Sequence, residues 1–247
     1  MKSSTLKPYS VPLLLCQLSL LLLSACGPSA STNDSANRPG ASAEDASTSG
    51  KPLTGPQSPE AADTLILALG DSLYAGYNLD RGEGFPEELQ NALVADGMNV
   101  FVVNAGVSGD TSAAGRQRLD YALEGLPRNP DLVVLGLGGN DMLRGIEPEQ
   151  TRANLDAMLK TLSDRKIKVV LTGMLAAPNL GPEYADAFNP IFPDLAKQYD
   201  AALYPFFLDG VVTDSELMLE DGIHPNAEGV DLVVEKIAPV VTGALAE

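Results

Sequence analysis

The sequence is poor in histidine, cysteine and basic residues. It contains one histidine, His224, and two cysteines among 247 residues. This excludes a four-ligand zinc site built on Cys and His, and any imidazole chemistry must use His224. Lys and Arg number 16 against 33 Asp and Glu, a formal net charge of −17. Because nucleic acids and anionic lipids attract basic surfaces, we expect no nucleic-acid partner and no charge-driven membrane binding.

The N-terminus has the pattern of an export signal. Lys2 and Lys7 precede an almost wholly apolar stretch, residues 11–25. Fifteen residues are short for a membrane span but have the length of a signal-peptide core. The stretch runs into Leu-Ser-Ala-Cys at residues 23–26, which resembles the bacterial lipobox. The resemblance implies cleavage before Cys26 and lipidation of its thiol. An ordinary secretory signal with a nearby cysteine is the alternative.

The predicted organisation has three parts: a lipoprotein signal peptide at 1–25, a disordered tether at 26–62, and one folded domain at 63–247. The tether is rich in Ser, Ala and Pro and has no apolar periodicity. With Cys16 removed and Cys26 acylated, no disulfide can form. Gly27 after the cysteine resembles the outer-membrane sorting pattern of diderm bacteria. We therefore expect an exported protein, lipid-anchored to the periplasmic side of the outer membrane, with no other membrane contact.

From residue 63 onward, strand-like segments alternate with helical ones. Continuous apolar runs indicate strands buried on both faces, as in a parallel sheet, and Pro205 marks the weakest run as an edge strand. The alternation predicts a three-layer α/β/α sandwich with a five-stranded parallel sheet. The five runs are residues 64–69, 99–103, 131–135, 167–171 and 202–207. Helical apolar stripes are formed by Leu155, Met158, Leu159 and Leu162 and by Val230, Val233, Val234 and Ile237.

Four short motifs fall where strands end or the last helix begins. They are GDSL at 70–73, NAGVSGDT at 104–111, GGND at 138–141 and DGIHP at 221–225. Taken singly, each has a plain structural explanation, such as a helix-capping serine or a strand-to-helix turn. Ligands in such sheets bind at the carboxyl ends of the strands, where these motifs are predicted to meet. Asp141 replaces the third glycine of a dinucleotide fingerprint, so we expect no nucleotide cofactor.

Together the motifs supply the groups that a serine hydrolase requires. Ser72 lies where a helix start favours negative charge beside its oxygen. Asp221, three residues before His224, can orient Nδ1 and leave Nε2 free as a base. Glycines in the second motif can present a backbone N–H, and Asn140 offers an amide N–H from the same edge. A nucleophile, a base, its orienting group and oxyanion donors are thus each present.

The four motifs resemble the sequence blocks of the SGNH/GDSL hydrolase family, and the match is close to its bacterial arylesterases and multifunctional acyl-CoA thioesterase I/lysophospholipases. The resemblance extends from about residue 63 to the end. It implies a flavodoxin-like fold and a reaction without metal or cofactor. It assigns Ser72 as nucleophile, His224 as general base and Asp221 as its orienting group. It also implies an oxyanion hole made by the backbone N–H groups of Ser72 and Gly109 and the Asn140 side chain.

The expected function is hydrolysis of carboxylic esters: aryl esters, short-to-medium acyl esters and lysophospholipids. Loss of Lys2 and Lys7 with the signal leaves 14 basic and 33 acidic residues, a charge of −19. This charge disfavours acyl-CoA, which is a polyanion. A carbohydrate or peptidoglycan O-acetylesterase on the same scaffold is the alternative, and a ligand-binding lipoprotein without catalysis is a third possibility. We expect a monomer acting on a small-molecule or lipid ester.

Overall fold

The apolar runs of the sequence form one parallel sheet in the computed structural model, which describes residues 50–246. The strands lie in the order β2-β1-β3-β4-β5, and every neighbouring pair is parallel. The predicted fold class is confirmed. The strand bounds are β1 Thr64–Gly70, β2 Val100–Gly106, β3 Leu132–Gly136, β4 Lys168–Thr172 and β5 Ala202–Tyr204.

The described residues form eight α-helices, and five of them cover the two faces of the sheet. Helices α2 and α8 pack together on one face, and α3, α5 and α7 pack on the other. Both predicted apolar stripes, in α5 and α8, are buried, as the helical period requires. The helix bounds are α1 Ser72–Ala75, α2 Phe85–Ala95, α3 Ser112–Glu124, α4 Gly139–Leu143, α5 Pro148–Asp164, α6 Gly181–Phe188, α7 Ile191–Tyr199 and α8 Ala227–Ala246.

The chain reverses its direction of progress across the sheet at β1, which lies between β2 and β3. In open α/β sheets such a reversal leaves a crevice at the carboxyl ends of the strands. Three glycines in register end these strands: Gly70 pairs with Gly106 on one side and with Gly136 on the other. A Cβ atom at Gly70 or Gly136 would overlap the buried ring of Tyr74. Glycine is therefore required for Tyr74 to close the sheet beneath the crevice.

The fifth strand is shorter than its apolar run. The sequence predicts strand over residues 202–207, whereas β5 ends at Tyr204. Pro205 follows, and because proline has no N–H to donate, it cannot continue the ladder. The position of β5 at one end of the sheet confirms the expected edge strand.

The structure corrects the expected tether at its C-terminal end. Residues 50–62, assigned by composition to a disordered segment, lie along the domain. The side chain of Gln90, fully buried in α2, donates to the Thr54 carbonyl at 2.8 Å, and its oxygen accepts from the Val102 N–H of β2 at 2.9 Å. Asn91 accepts from the Thr54 N–H at 2.8 Å. Polar side chains of α2 thus hold this segment against the domain.

The remaining N-terminal predictions concern residues outside the described part of the chain. These are the signal peptide, Cys26 and the tether as far as residue 49. Within residues 50–246, no helix has the length and apolarity needed to cross a membrane. The same residues contain no cluster of three or more His, Cys, Asp or Glu side chains suited to a metal ion.

Candidate active site

Three polar side chains from opposite ends of the domain form a continuous hydrogen-bonded chain. The Nε2 atom of His224 lies 2.8 Å from Ser72 Oγ, and its Nδ1 lies 2.7 Å from Asp221 Oδ2. Ser72 and His224 are 152 positions apart in sequence, so only the fold brings them together. The contact positions one imidazole nitrogen to take the serine proton while the other is fixed by a carboxylate.

Ser72 is held at the beginning of α1, directly after β1. The preceding residue, Asp71, caps this helix by accepting a hydrogen bond from the Leu73 N–H at 3.1 Å. The Gly76 N–H closes the single turn onto the Ser72 carbonyl. The nucleophile candidate is thus held on a tight strand-to-helix turn, and its own N–H, in the first turn, has no acceptor within the helix.

Asp221 is held by a turn that brings it back onto His224. One of its oxygens accepts from the backbone N–H groups of Ile223 at 2.9 Å and His224 at 3.0 Å, which leaves the other oxygen for the imidazole. Burial opposes ionisation of Asp221, but these hydrogen bonds and the imidazole outweigh it and lower its pKa to about 2. The carboxylate therefore stays charged at neutral pH, where it accepts a hydrogen bond from the imidazole.

The three predicted oxyanion donors line one cavity, together with His224. Gly109 has φ of +85°, a left-handed conformation that favours glycine. Asn140 is the second residue of α4, which begins after Gly138, at φ of +115°. The structure thus brings Ser72, Gly109 and Asn140 to the same place.

Asp71 lies behind this group and has no role assigned by the sequence motifs. Its second carboxyl oxygen accepts from Asn140 Nδ2 at 3.2 Å. Asp71 is only 3% exposed. Burial raises its pKa to about 6, although hydrogen bonds from Leu73 and Asn140 and the nearby His224 act in the opposite direction. Because one amide hydrogen of Asn140 is bound by Asp71, the other is left for the cavity.

Hydrogen bonds of two further residues, Asp141 and Arg144, join the segments that carry Gly109 and Asn140. On the buried side, Asp141 accepts from the N–H of Ser112 at 2.7 Å and from its hydroxyl, and also from the Thr151 hydroxyl at 3.1 Å. On the outer side, Arg144 donates to the Gly109 carbonyl at 2.7 Å. The relative position of the two donors is therefore fixed from both sides.

The cavity above Ser72 is large and mainly apolar. Its volume is about 650 Å³, within the range of small-molecule sites. Its apolar wall comes from the segments that follow β3, β4 and β5 and from the loop before His224. The wall residues include Met142, Leu143, Met174, Leu175, Ala176, Ala177, Phe206, Leu208, Val212 and Ile223. Such a wall suits an acyl chain or an aromatic ring.

Sequence reasoning missed the residues that support the site. Asp71 has one local signal, since Asp is a preferred helix N-cap, but its contact with Asn140 spans 69 positions. Asp141 stands out in the sequence only as part of a motif. Arg144 and Tyr77, whose ring lies against His224, carry no pattern that a single sequence distinguishes from surface residues.

Known proteins resemble this chain over most of the folded domain. The GDSL-like lipase/acylhydrolase family matches residues 68–232. The arylesterase of Vibrio mimicus is 40% identical over 177 residues, which cover 72% of this chain and 88% of that protein. Esterase TesA of Pseudomonas aeruginosa is 41% identical over 182 residues, covering 74% and 90%.

A solved structure gives the same result. AlinE4, described as an SGNH-hydrolase family esterase, is 48% identical, with a TM-score of 0.63 over 74% of this chain and 96% of its own. The motifs, the parallel sheet and these matches agree, and the chain belongs to the GDSL-like lipase/acylhydrolase family.

Proposed function

We propose that the protein hydrolyses carboxylic esters by two-step acyl transfer, with Ser72 as nucleophile. The observation that carries the proposal is the hydrogen-bonded chain from Asp221 through His224 to Ser72, of which Ser72 and His224 line a mainly apolar cavity. The family match supports the carboxylester hydrolase activity itself. Two relatives that are about 40% identical to this chain, an arylesterase and an esterase, support it as well.

In the first step, Ser72 Oγ attacks the ester carbonyl carbon while His224 Nε2 takes the hydroxyl proton. The tetrahedral intermediate collapses, the C–O bond to the alcohol breaks, and His224 returns its proton to the leaving oxygen. Water then attacks the acyl-enzyme with its proton passing to His224, which returns it to Ser72 as the acid leaves. Asp221 stabilises the imidazolium that forms in each half-reaction.

The negative charge on the carbonyl oxygen requires donors placed in advance. The Ser72 and Gly109 backbone N–H groups and the Asn140 amide fill this role in the proposal. Removing one such donor costs about 10²- to 10³-fold in kcat in serine hydrolases. Asn140→Ala should therefore lower kcat by about that factor and leave KM nearly unchanged, because the donor acts mainly on the transition state.

The cavity favours aryl and short-to-medium acyl esters, including single-chain lipids. An acetyl group would leave most of the 650 Å³ of apolar space unfilled, so an O-acetylesterase is the less favoured reading. Each added CH₂ that enters an apolar wall contributes about 0.8 kcal/mol, so kcat/KM should rise up to about fourfold per methylene until the chain exceeds the cavity.

The test is hydrolysis of p-nitrophenyl esters from acetate to palmitate by the full chain, with Ser72→Ala as the control. We expect activity over several chain lengths that is lost in the variant. A fluorophosphonate probe should label wild-type protein at Ser72, detected by peptide mass spectrometry, and should leave Ser72→Ala unlabelled. Full activity in a folded Ser72→Ala protein would overturn the proposal, and turnover of acetate alone would transfer it to the O-acetylesterase.

We also infer that the protein is exported as a monomeric lipoprotein acylated on Cys26 and held at the periplasmic side of an outer membrane. The lipobox-like sequence at 23–26 and the following Gly27 support the export, the acylation and the location. Metabolic labelling with palmitate should mark the wild-type chain and not Cys26→Ala. Membrane fractionation and light scattering of the detergent-solubilised chain test the location and the monomer.

A further inference from the structure

The imidazole of His224 has an aromatic neighbour that the reaction scheme does not use. The ring of Tyr77 lies with its centroid 4.4 Å from that of the imidazole, at an interplanar angle of 32°. Tyr77 follows α1, and its N–H donates to the Ser72 carbonyl at 3.3 Å. One short segment therefore contains both Ser72 and the aromatic ring that covers one face of the His224 imidazole.

The contact lies at the wall of the cavity. Tyr77 is 40% exposed and lines the cavity together with His224 and Ser72. A tyrosine side chain in so open a position contributes little to the hydrophobic core. Its well-defined contact is the one with the imidazole, so a role there explains its position better than core packing does.

We propose that Tyr77 is a positioning residue for His224: its ring holds the imidazole against Ser72 and stabilises the positive charge that the imidazole acquires during the reaction. The proposal rests on the proposed function, in which His224 takes and returns the proton of Ser72.

The physical reason lies in the difference between the two ring nitrogens of the imidazole, which form hydrogen bonds, and its two faces, which do not. In the plane of the ring, Asp221 accepts from Nδ1 and Ser72 meets Nε2, so both nitrogen positions are used. The carboxyl group of Asp71 also acts on His224 through space. These groups leave the faces of the ring unsupported. The negative π face of a tyrosine ring attracts a cation lying over it, and it also blocks rotation of the imidazole out of line.

The experiment uses the fact that His224 is the only histidine in the sequence. In an untagged full chain, the imidazole C–H proton signals belong to one residue, so their titration by NMR gives the pKa of His224 directly. Tyr77→Leu removes the ring but keeps an apolar side chain. Tyr77→Phe keeps the ring and removes the hydroxyl, and it is the matched control.

We expect Tyr77→Leu to lower kcat for p-nitrophenyl acetate about two- to fivefold, as loss of a partly exposed cation–π contact predicts. The midpoint of the NMR titration and the acid limb of the pH–rate profile should both move to lower pH. Because Tyr77→Phe keeps the ring, its titration and its kcat should lie closer to those of the wild type than those of Tyr77→Leu do. Tyr77→Met, a second ringless variant, should behave as Tyr77→Leu.

Two results would overturn the proposal. One is an unchanged His224 titration and kcat in both ringless variants. The other is an equal defect in Tyr77→Phe, which would assign the effect to the hydroxyl group. The titration is read without substrate, so a failure of this proposal is distinct from a failure of the esterase proposal, which would appear as undiminished activity in Ser72→Ala.

Discussion

Asp71 combines two tasks with one buried carboxyl group. One oxygen caps α1, the helix that begins with Ser72, and the other accepts from the amide of Asn140. Both contacts need an acceptor. An ionised carboxyl group supplies two, but burial disfavours its charge and raises its pKa to about 6. The ionised form of Asp71 therefore lowers the stability of the fold, and the same carboxylate orients Asn140.

Asp71→Asn should therefore lower kcat by about 10²- to 10³-fold, the value of one oxyanion donor. An asparagine at this position has only one oxygen. If that oxygen caps Leu73, its NH₂ group faces Asn140, whose amide must then turn its oxygen toward residue 71, so that an oxygen replaces the N–H donor offered to the cavity. Steady-state kinetics with p-nitrophenyl butyrate, compared with Asn140→Ala and the double variant, would measure this. If the two single defects simply multiplied in the double variant, Asp71 would not act through Asn140.

The same substitution should stabilise the protein at alkaline pH relative to acid pH. Because the folded pKa of Asp71 is raised from 3.8 to about 6, its contribution to stability is full below pH 3.8 and is lost as pH rises through 6. The whole loss is about 3 kcal/mol, and the asparagine side chain of the variant does not titrate.

Urea unfolding of both proteins at pH 4 and pH 8 isolates this contribution, because the other groups titrate in both proteins. The unfolding free energy of the variant, relative to wild type, should increase by about 2–3 kcal/mol between the two pH values. A difference that stayed constant with pH would contradict a raised pKa for Asp71.

At the scale of elements, Asp141 joins three helices through its side chain. It belongs to α4, accepts both hydrogen bonds of Ser112 at the start of α3, and accepts from Thr151 in α5. All three residues are buried. Since α3 follows the loop of Gly109 and α4 contains Asn140, this junction fixes the two proposed oxyanion donors relative to one another.

Asp141→Ala should destabilise the protein by about 3–5 kcal/mol, because three buried donors lose their acceptor at once. Thr151→Val is the matched control: it removes one of these hydrogen bonds with little change of shape and should cost about 1 kcal/mol. Urea denaturation measures both. Similar losses in the two variants would show that the junction is not centred on Asp141.

The elements of the fold were predictable because their signals are local. Buried strands such as β1 and β3 are continuous apolar runs, and the α5 stripe has the helical period. The motifs of the triad could be read from the sequence, one after β1 and one before α8, and the family resemblance implied roles for their residues that stay a prediction. The position of residues 50–62 was not, because its cause lies in Gln90 and Asn91, more than 30 positions away. The roles of Asp71 and Tyr77 were not predicted for the same reason, because each depends on contact with a residue distant in sequence, Asn140 or His224.

On the scale of the whole molecule, charge and cavity favour different parts of a substrate. The apolar wall suits an acyl chain. The net charge of the full sequence, −17, acts on the alcohol or thiol group to which that acyl chain is attached. A neutral alcohol or phenol is not repelled by this field. Coenzyme A carries several negative charges, so an acyl-CoA should be opposed during approach even when its acyl chain fits the cavity.

Ionic strength separates these two effects. Salt shortens the range of electrostatic repulsion to about 3 Å at 1 M from about 30 Å at 0.01 M. Raising salt from about 0.01 M to 0.5 M should therefore increase kcat/KM for butyryl-CoA about threefold or more, whereas p-nitrophenyl butyrate should change little because it is neutral.

The two substrates carry the same acyl group, so cavity fit cancels from the comparison. Arg144 is a cation close to one of the proposed oxyanion donors, because its guanidinium donates to the Gly109 carbonyl. A decrease of kcat/KM for butyryl-CoA with salt would contradict repulsion and show that a local positive potential outweighs the charge of the whole chain. Loss of that decrease in Arg144→Gln would identify Arg144 as the source of that potential.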